Sequence, residues 1–188
     1  MEDRQQRCYH CPMYELVKIV NSSLDGGEVA RALTKGAADF IGAKACSLML
    51  LNPDRRELYH AASHGLSEWY IEKGPLQVDE AIAEALAGRP LAIREAASDP
   101  RVQYREHALR EGIASMLTVP MLLRDEIIGV LRVYTAEPRD FSADDVDFAK
   151  AIADLGAIAL DNARRYEKVQ RSNADLERYL QEWYAMCR

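Results

Sequence analysis

Three residues near the start of the chain could hold a metal ion or form a redox pair: Cys8, His10 and Cys11. A C-x-x-C pair supplies two of the four ligands that a structural zinc site needs, and His10 adds a third. No fourth ligand follows in this stretch, and Cys187 lies at the far end of the chain. We therefore expect incidental thiols in an N-terminal tail and no stoichiometric metal. Metal binding and a redox-sensing pair stay open as alternatives.

Arg132 is the one charged residue within the apolar stretch Ile127–Tyr134. Side chains alternate along a strand, so Arg132 and Tyr134 share one face. Leu131 and Val133 take the other face. A guanidinium that points inward needs an anionic or carbonyl-bearing partner, because a buried charge is costly unless it is paired. The alternative is that Arg132 extends its head into solvent from the surface of the sheet.

The sequence contains no motif of a known enzyme class. A phosphate-binding glycine loop, a G-x-S-x-G turn and an H-E-x-x-H helix are all missing. The scattered acidic residues and tyrosine–histidine pairs do not form a constellation for general acid–base catalysis. We therefore predict a protein that is not an enzyme, with no catalytic and no metal-binding residues.

Composition and charge restrict the partners. The chain has 188 residues, with 24 basic and 30 acidic side chains and a net charge of −6. A general nucleic-acid-binding protein needs a surplus of Lys and Arg, so no nucleic-acid partner is expected. The uncharged runs are well short of the roughly 20 residues of a membrane helix, and the N-terminus has no signal-like apolar stretch. We expect a cytoplasmic protein with no membrane partner, whose cysteines are thiols.

The order of the predicted elements indicates an α+β domain. Helical spacing of apolar residues predicts four helices before residue 115, and apolar runs bounded by turn residues predict five strands. The predicted helices are Tyr14–Asn21, Gly27–Ile41, Asp79–Ala87 and Val102–Glu111, and the predicted strands are Cys46–Leu51, Glu57–Ser63, Leu91–Arg94, Ser115–Leu123 and Ile127–Tyr134. Tight turns within the first and last pairs of strands favour antiparallel hairpins. This order predicts a central antiparallel sheet with helices on both faces.

From Phe141 onward the pattern predicts one long helix. Ser142 and Asp145 have the spacing of a capping box, and no proline follows. Alternating steps of four and three residues define a seam in which ten of twelve positions are apolar. Its members are Phe148, Ile152, Leu155, Ala159, Asn162, Tyr166, Val169, Asn173, Leu176, Leu180, Trp183 and Cys187. A sustained repeat of 3.5 residues is typical of a coiled coil.

The far half of this helix is predicted to be the interface of a parallel homodimer. Roughly 45 helical residues would span about 68 Å, which exceeds the diameter of a domain of this size. Asn173 takes position a of the repeat, where asparagine favours two parallel strands. The interface candidates are Tyr166, Val169, Asn173, Leu176, Leu180 and Trp183. The alternative is a helix that folds back over its own sheet, which we expect for the first half only.

Three segments and the closing helix match those of a known family. They are LVKIVNSSLD at 16–25, ACSLMLLNPDRREL at 45–58, SMLTVPMLLRDEIIGVLRVY at 115–134 and the helix at 141–167. Residues 14–165 resemble a GAF domain, the small-molecule sensor module of bacterial signalling proteins and of cyclic-nucleotide phosphodiesterases. The resemblance implies a central antiparallel sheet, a helical layer from both termini on one face and a ligand pocket on the other. We accordingly divide the chain into a tail (1–13), a GAF-like domain (14–165) and a coiled-coil extension (166–188).

The resemblance also implies that the strand face of Arg132 holds the ligand. The candidate ligand-binding residues are Arg132, Tyr134, Ser115, Leu117, Val119, His64 and His107. On the neighbouring strand, Met116, Thr118 and Pro120 form the rival set. His60 is weighed with His64 and His107 as an axial haem ligand, although a single histidine near a loop is more often solvated or satisfied in the core.

The known ligands of GAF domains fit this sequence poorly. Members that bind cyclic nucleotides carry an Asn-Lys pair before a Phe-x-x-x-Asp-Glu motif. Here that pair is missing before Phe141, and the acids stand one residue closer. Members that bind bilins need a pocket cysteine followed by histidine, and residues 98–112 contain none. The cofactor therefore stays unknown.

The predicted function is a non-catalytic regulatory module that binds a small molecule and signals, through a dimeric C-terminal helix, to a downstream partner. One alternative is a structural dimerisation or partner-binding module whose pocket is filled by its own side chains. The other is a redox enzyme of the same fold. The free methionine sulfoxide reductases of this fold use clustered cysteines, whereas Cys46 stands alone in the sheet region.

Overall fold

The computed structural model describes Tyr14, Lys18 and residues 25–186, with the backbone alone at residues 167, 180, 181 and 184–186. The helices are α1 (Gly26–Ile41), α2 (Glu68–Ile71), α3 (Glu80–Leu86), α4 (Arg105–Glu111) and α5 (Ala143–Met186). The strands are β1 (Ala45–Leu51), β2 (Glu57–His64), β3 (Leu76–Gln77), β4 (Leu91–Ile93), β5 (Ser115–Leu123) and β6 (Glu126–Thr135). They form a six-stranded antiparallel sheet in the order β3-β2-β1-β6-β5-β4. The predicted antiparallel sheet and both predicted hairpins are confirmed.

Some of the predictions fall outside the described residues. Cys8, His10, Cys11 and Cys187 are among them, as is most of the predicted helix Tyr14–Asn21. The metal and redox alternatives for the N-terminal cysteines therefore stay predictions.

Local side-chain chemistry explains where the helices begin. The Asp25 carboxylate accepts a hydrogen bond from the Gly27 amide at 2.8 Å and starts α1. Asp79 caps α3 in the same way, through the Ile82 amide at 2.9 Å. At α5 the predicted capping box is confirmed, since the Asp145 amide donates to Ser142 Oγ at 3.1 Å and the Ser142 amide donates to Asp145 Oδ2 at 3.0 Å.

The predicted helix Val102–Glu111 is shorter in the structure, where α4 begins at Arg105. Val102 is buried in the apolar core, and the backbone at Tyr104 is not helical. Burial of Val102 against the sheet therefore replaces the first helical turn that its spacing suggested.

Helices α1 and α5 cover one face of the sheet, which we call the helix face. The apolar residues that they bury include Leu48 of β1 and Leu131 and Val133 of β6. The first part of the predicted seam, Phe148 to Ala159, packs here on the chain's own sheet, as expected for that half. Gly129 lets β6 approach β1 closely, since a Cβ there would lie 2.1 Å from the Met49 carbonyl oxygen.

The short helices α2, α3 and α4 lie on the opposite face, where two smaller apolar clusters cover the sheet. One cluster contains Tyr70 of α2 and Ala108 of α4, and the other contains Ile82 of α3. Helices therefore lie on both faces, as predicted. Among the described residues, no helix is long and apolar enough to span a membrane.

Candidate functional site

Three polar side chains form a row across the middle of the sheet, on the face opposite α1 and α5. Arg132 of β6 lies between Ser47 of β1 and Thr118 of β5, in register with both. Ser47 and Thr118 are fully buried, and Arg132 is only 5% exposed. We call these three residues the polar row and this side of the sheet the row face. The prediction that Arg132 and Tyr134 lie opposite Leu131 and Val133 is confirmed, and Arg132 does not extend into solvent.

The Arg132 guanidinium has few protein partners. Its Nε donates to Thr118 Oγ1 at 3.2 Å and its Nη2 to Met116 Sδ at 3.1 Å. Its carbon lies 5.5 Å from the centre of the Tyr134 ring. None of the ion pairs among the described residues includes Arg132. Because a guanidinium carries five N–H donors and thioether sulfur is a weak acceptor, the group is short of acceptors.

Two further basic side chains, Lys73 and His60, lie near enough to the polar row for the Arg132 charge to act on both. Lys73 follows α2, and its Nζ lies 3.5 Å from His60 Nε2 and donates to the Tyr70 carbonyl at 3.0 Å. The same ammonium lies 3.8 Å from the centre of the Tyr70 ring. His60 comes from β2, where it pairs with Met49 on the row face. We call Arg132, Lys73 and His60 the basic cluster.

Burial, together with nearby charges, shifts the pKa values of three groups at the row face. Burial, with the nearby Lys73 and Arg132 charges, lowers the pKa of His60 to about 4. Burial and the Arg132 charge lower the pKa of Lys73 to about 8, although Glu111 opposes the shift. Burial raises the pKa of Tyr134, which also shares a 3.1 Å hydrogen bond with Ser47. At neutral pH His60 is therefore neutral. The charged form of Lys73 is less stable here than in water, because it is buried beside another cation.

His60 also contains an unsatisfied polar atom. Its Nδ1 is buried and has no hydrogen-bond partner among the described residues. Buried polar groups in folded proteins almost always have a partner, so an orphaned atom beside two cations points to a missing group at this position.

Three of the predicted ligand-binding residues lie on the helix face, opposite the face of Arg132. Leu117 and Val119 belong to the core of the helix face, and Ser115 shares their side of β5. The Ser115 hydroxyl donates to the Arg94 carbonyl at 2.6 Å and accepts from the Arg139 amide at 2.8 Å. The rival set is in register with the row face instead: Met116 with Tyr134, Thr118 with Arg132 and Pro120 with Val130.

His64 and His107 do not contact the polar row. A β-bulge between Leu48 and Met49 in the β1–β2 ladder reverses the alternation of β2. His60 therefore lies on the row face, while His64 lies opposite Cys46 on the helix face. His107 lies on α4. Its ring stacks on Trp69 with 5.0 Å between the ring centres, and it lies edge-on to Tyr104 with 5.6 Å between the ring centres.

Sequence reasoning did not single out Ser47 or Lys73, and it weighed His60 only as a haem ligand. Ser47 lies in an apolar strand and Lys73 in a loop, and neither position carries a motif. Only the strand register and the fold of the loop after α2 bring them to Arg132.

The cysteine that the structure describes, Cys46, is inaccessible. Cys46 is fully buried on the helix face, and this burial raises the pKa of its thiol far above neutral. A thiol in such surroundings is a poor nucleophile. No group of three or more potential metal-ligating side chains occurs in the part of the chain that the structure describes.

Comparison with known proteins agrees with this fold. The family model of the GAF domain matches residues 25–160. The chain belongs to the GAF domain family. Proteins of this family act as sensory or regulatory modules, and the curated relatives of the chain carry names of that kind.

One relative is the formate hydrogenlyase transcriptional activator of Salmonella typhimurium, which is 26% identical over 166 residues. Another is the methyl sulfide methyltransferase-associated sensor of Methanosarcina acetivorans, 25% identical over 158 residues. The matches cover 83% and 80% of this chain but only 24% and 16% of those proteins. The chain therefore spans a minor part of the length of these relatives.

Among solved structures, the GAF domain of a phosphoenolpyruvate-protein phosphotransferase from Coxiella burnetii aligns with a TM-score of 0.73 at 19% identity. The alignment covers 84% of this chain and 95% of that one. A free methionine-R-sulfoxide reductase from Neisseria meningitidis aligns with a TM-score of 0.68 at 14% identity, covering 84% and 91% of the two chains. Both likenesses show the fold alone, and the enzyme's activity does not transfer with it.

Proposed function

We propose that this GAF domain is a non-catalytic sensory module that binds a small molecule at the row face and reports its binding through α5. The observation that carries the proposal is the polar row, because it places a buried guanidinium on the face opposite α1 and α5, beneath the short helices. A buried charge without an ion pair destabilises the apo fold unless a partner is supplied. A ligand is the partner that would explain the arrangement.

The ligand would enter past the outer members of the basic cluster. His60 and Lys73 are partly exposed, whereas Arg132 behind them is buried. A ligand that enters past Lys73 would meet the guanidinium at the end of its path. The names of the curated relatives, a sensor and a transcriptional activator, support a regulatory role for such binding.

The sheet offers a direct path from the ligand to α5. On β5, Thr118 lies between Leu117 and Val119, and on β6, Arg132 follows Leu131. These three apolar neighbours pack in the same core as α5. Because a packed core transmits small displacements, a shift of β5 and β6 on ligand binding would move the helix.

The far half of α5 supports the second part of the proposal, a parallel homodimer. Ala163 packs against Gly26, and Arg164 Nη2 lies 3.2 Å from the Tyr59 hydroxyl. Beyond this point the side chains of the seam form an exposed stripe. Its apolar members are 46% to 60% exposed in the single chain: Tyr166, Val169, Leu176 and Trp183. Asn173, between them, is exposed as well. Leu180 lies where the backbone alone is described.

A second copy of the chain is the occupant that this stripe fits best. Burying one fully exposed side chain of this kind contributes about 1.5–3 kcal/mol, so two half-exposed stripes contribute an amount comparable to the 4–15 kcal/mol that association typically costs. Asn173 can pair with its counterpart only in a parallel, in-register pair.

Native mass spectrometry of freshly purified protein tests ligand binding. We expect a bound small molecule, and re-addition of that molecule to stripped protein should raise the melting temperature. Arg132→Ala should abolish this rise while the variant stays folded. An unchanged thermal shift in the variant would refute the proposed site, and a protein that never carries or binds a small molecule would favour the structural module.

Light scattering tests the homodimer. We expect twice the mass of the 21.2 kDa chain at micromolar concentration, and a monomer after deletion of residues 166–188. A wild-type monomer would refute the dimer. A dimer that survives the deletion would place the contact on the domain itself.

A further inference from the structure

We infer that the ligand of the row face is a small oxyanion, a carboxylate or a phosphate, held jointly by Arg132, Lys73 and His60. This inference rests on the proposed function and names the chemical class of its ligand. It is carried by the charge balance of the basic cluster and by the donors that the cluster leaves unused.

The charge balance at the row face is positive. Arg132 and Lys73 each bring a cation, and neither forms an ion pair with the described residues. Glu111 is the acid whose charge reaches Lys73. Its carboxylate is already engaged by the Ser67 amide at 2.9 Å and the Ser67 hydroxyl at 2.5 Å. An anion with two or more oxygens would pair with both cations and reduce this positive charge.

The hydrogen-bonding groups that the cluster leaves unused also favour an anion. An ammonium group can only donate, so the 3.5 Å approach of Lys73 Nζ makes His60 Nε2 the acceptor. In the neutral ring the proton then lies on Nδ1, the buried atom without a partner. Arg132 likewise has N–H groups beyond the two bonded to Thr118 and Met116. Every unused group is a donor, which an oxyanion satisfies and a cationic ligand does not.

The experiment compares oxyanions with neutral molecules of the same shape. The probes are acetate against acetamide, succinate against succinamide, and inorganic phosphate, at constant ionic strength. Binding is measured by isothermal titration calorimetry on the full chain after removal of any co-purified ligand. We expect at least one of the anions to bind and both amides to fail.

The variants Arg132→Met and Lys73→Met remove one charge each and keep a long side chain. Each should weaken the binding of that anion about tenfold or more, the usual effect of losing a hydrogen bond to a charged group. Lys35→Met on α1 is the matched control, since it removes the same charge from an exposed site paired with Asp39 at 2.8 Å. It should leave the affinity unchanged.

The outcomes separate this inference from the proposed function. Binding of phosphate alone supports the oxyanion and assigns it to a phosphate group, whereas binding of acetate or succinate assigns it to a carboxylate. Equal binding of amides, or an affinity that survives both Met variants, overturns the inference. If no probe binds but native mass spectrometry shows a neutral metabolite that Arg132→Ala no longer carries, the inference fails and the proposed function stands. If nothing is bound or binds, both fail.

Discussion

The two faces of the sheet are built from alternating residues of the same strands, yet they differ in chemistry. On the helix face, β1, β5 and β6 bury apolar side chains against α1 and α5. On the row face, each of these strands places a polar residue at the same level: Ser47, Thr118 and Arg132. Two small apolar clusters remain on either side of that row.

Side-chain alternation thus places the large apolar core on one face of the sheet and the buried polar groups on the other. The helix face is mainly apolar, so burial there contributes directly to the free energy of unfolding. The row face keeps a buried cation and an orphaned imidazole nitrogen, both of which reduce stability in the absence of a partner. Adjacent residues of β6 should therefore respond to substitution in opposite ways.

The largest expected effect comes from Leu131→Ala. Leu131 is fully buried on the helix face, so truncation should lower the free energy of unfolding by about 2–5 kcal/mol. Its neighbour on the row face, changed as Arg132→Met, should leave stability unchanged or raise it, because an apolar side chain replaces an uncompensated charge. Urea unfolding of both variants measures the difference. A larger loss for Arg132→Met than for Leu131→Ala would show that the two faces are not divided in this way.

An intermediate effect is expected from pH. The lowered pKa of His60 means that the folded state binds the proton less readily than the unfolded state. This contribution to stability is complete above pH 6.5 and is lost as the pH falls towards 4. His60→Gln cannot bind this proton, so it should lose less stability in acid than wild type. Between pH 7 and pH 4 its free energy of unfolding should fall by about 1–3 kcal/mol less than that of wild type.

Measuring unfolding midpoints of wild type and His60→Gln between pH 4 and 7.5 tests this prediction. His64→Gln is the control on the other face. Parallel pH profiles for wild type and His60→Gln would contradict the lowered pKa of His60.

The smallest expected effect comes from a single hydroxyl. Tyr134→Phe removes the buried 3.1 Å hydrogen bond with Ser47 and should lower the free energy of unfolding by about 0.5–1.5 kcal/mol. The matched change Tyr59→Phe removes an exposed hydroxyl beside Arg164 and should have less effect. Chemical denaturation of both variants measures the difference. Equal losses would mean that the polar row is not sheltered from water.

Several features were predictable because they depend on neighbours in the sequence. The capping box at Ser142 and Asp145 is local, and so are both hairpins. The alternation of Arg132 and Leu131 is also local, since a single apolar strand interrupted by one charge marks its own two faces. The GAF resemblance carried the order of the remaining elements.

Other features depended on pairing between distant segments. Strand β5 is buried on both faces, so its sequence carries no polar alternation to show whether Thr118 or Leu117 accompanies Arg132. The bulge that separates His60 from His64 has no marker in the sequence of β2. Lys73 reaches His60 only because the segment after α2 folds over the row face.

The sequence by itself determined the family, the sheet with its long closing helix, and the face of β6 on which the charge lies. The tertiary structure alone decided which residues meet that charge. The physical reason is that side-chain alternation belongs to one strand, whereas strand register, bulges and loop packing are set by contacts between residues far apart in the chain. Arg132 could therefore be recognised from the sequence, but its neighbours Thr118, His60 and Lys73 could be recognised only in the folded protein.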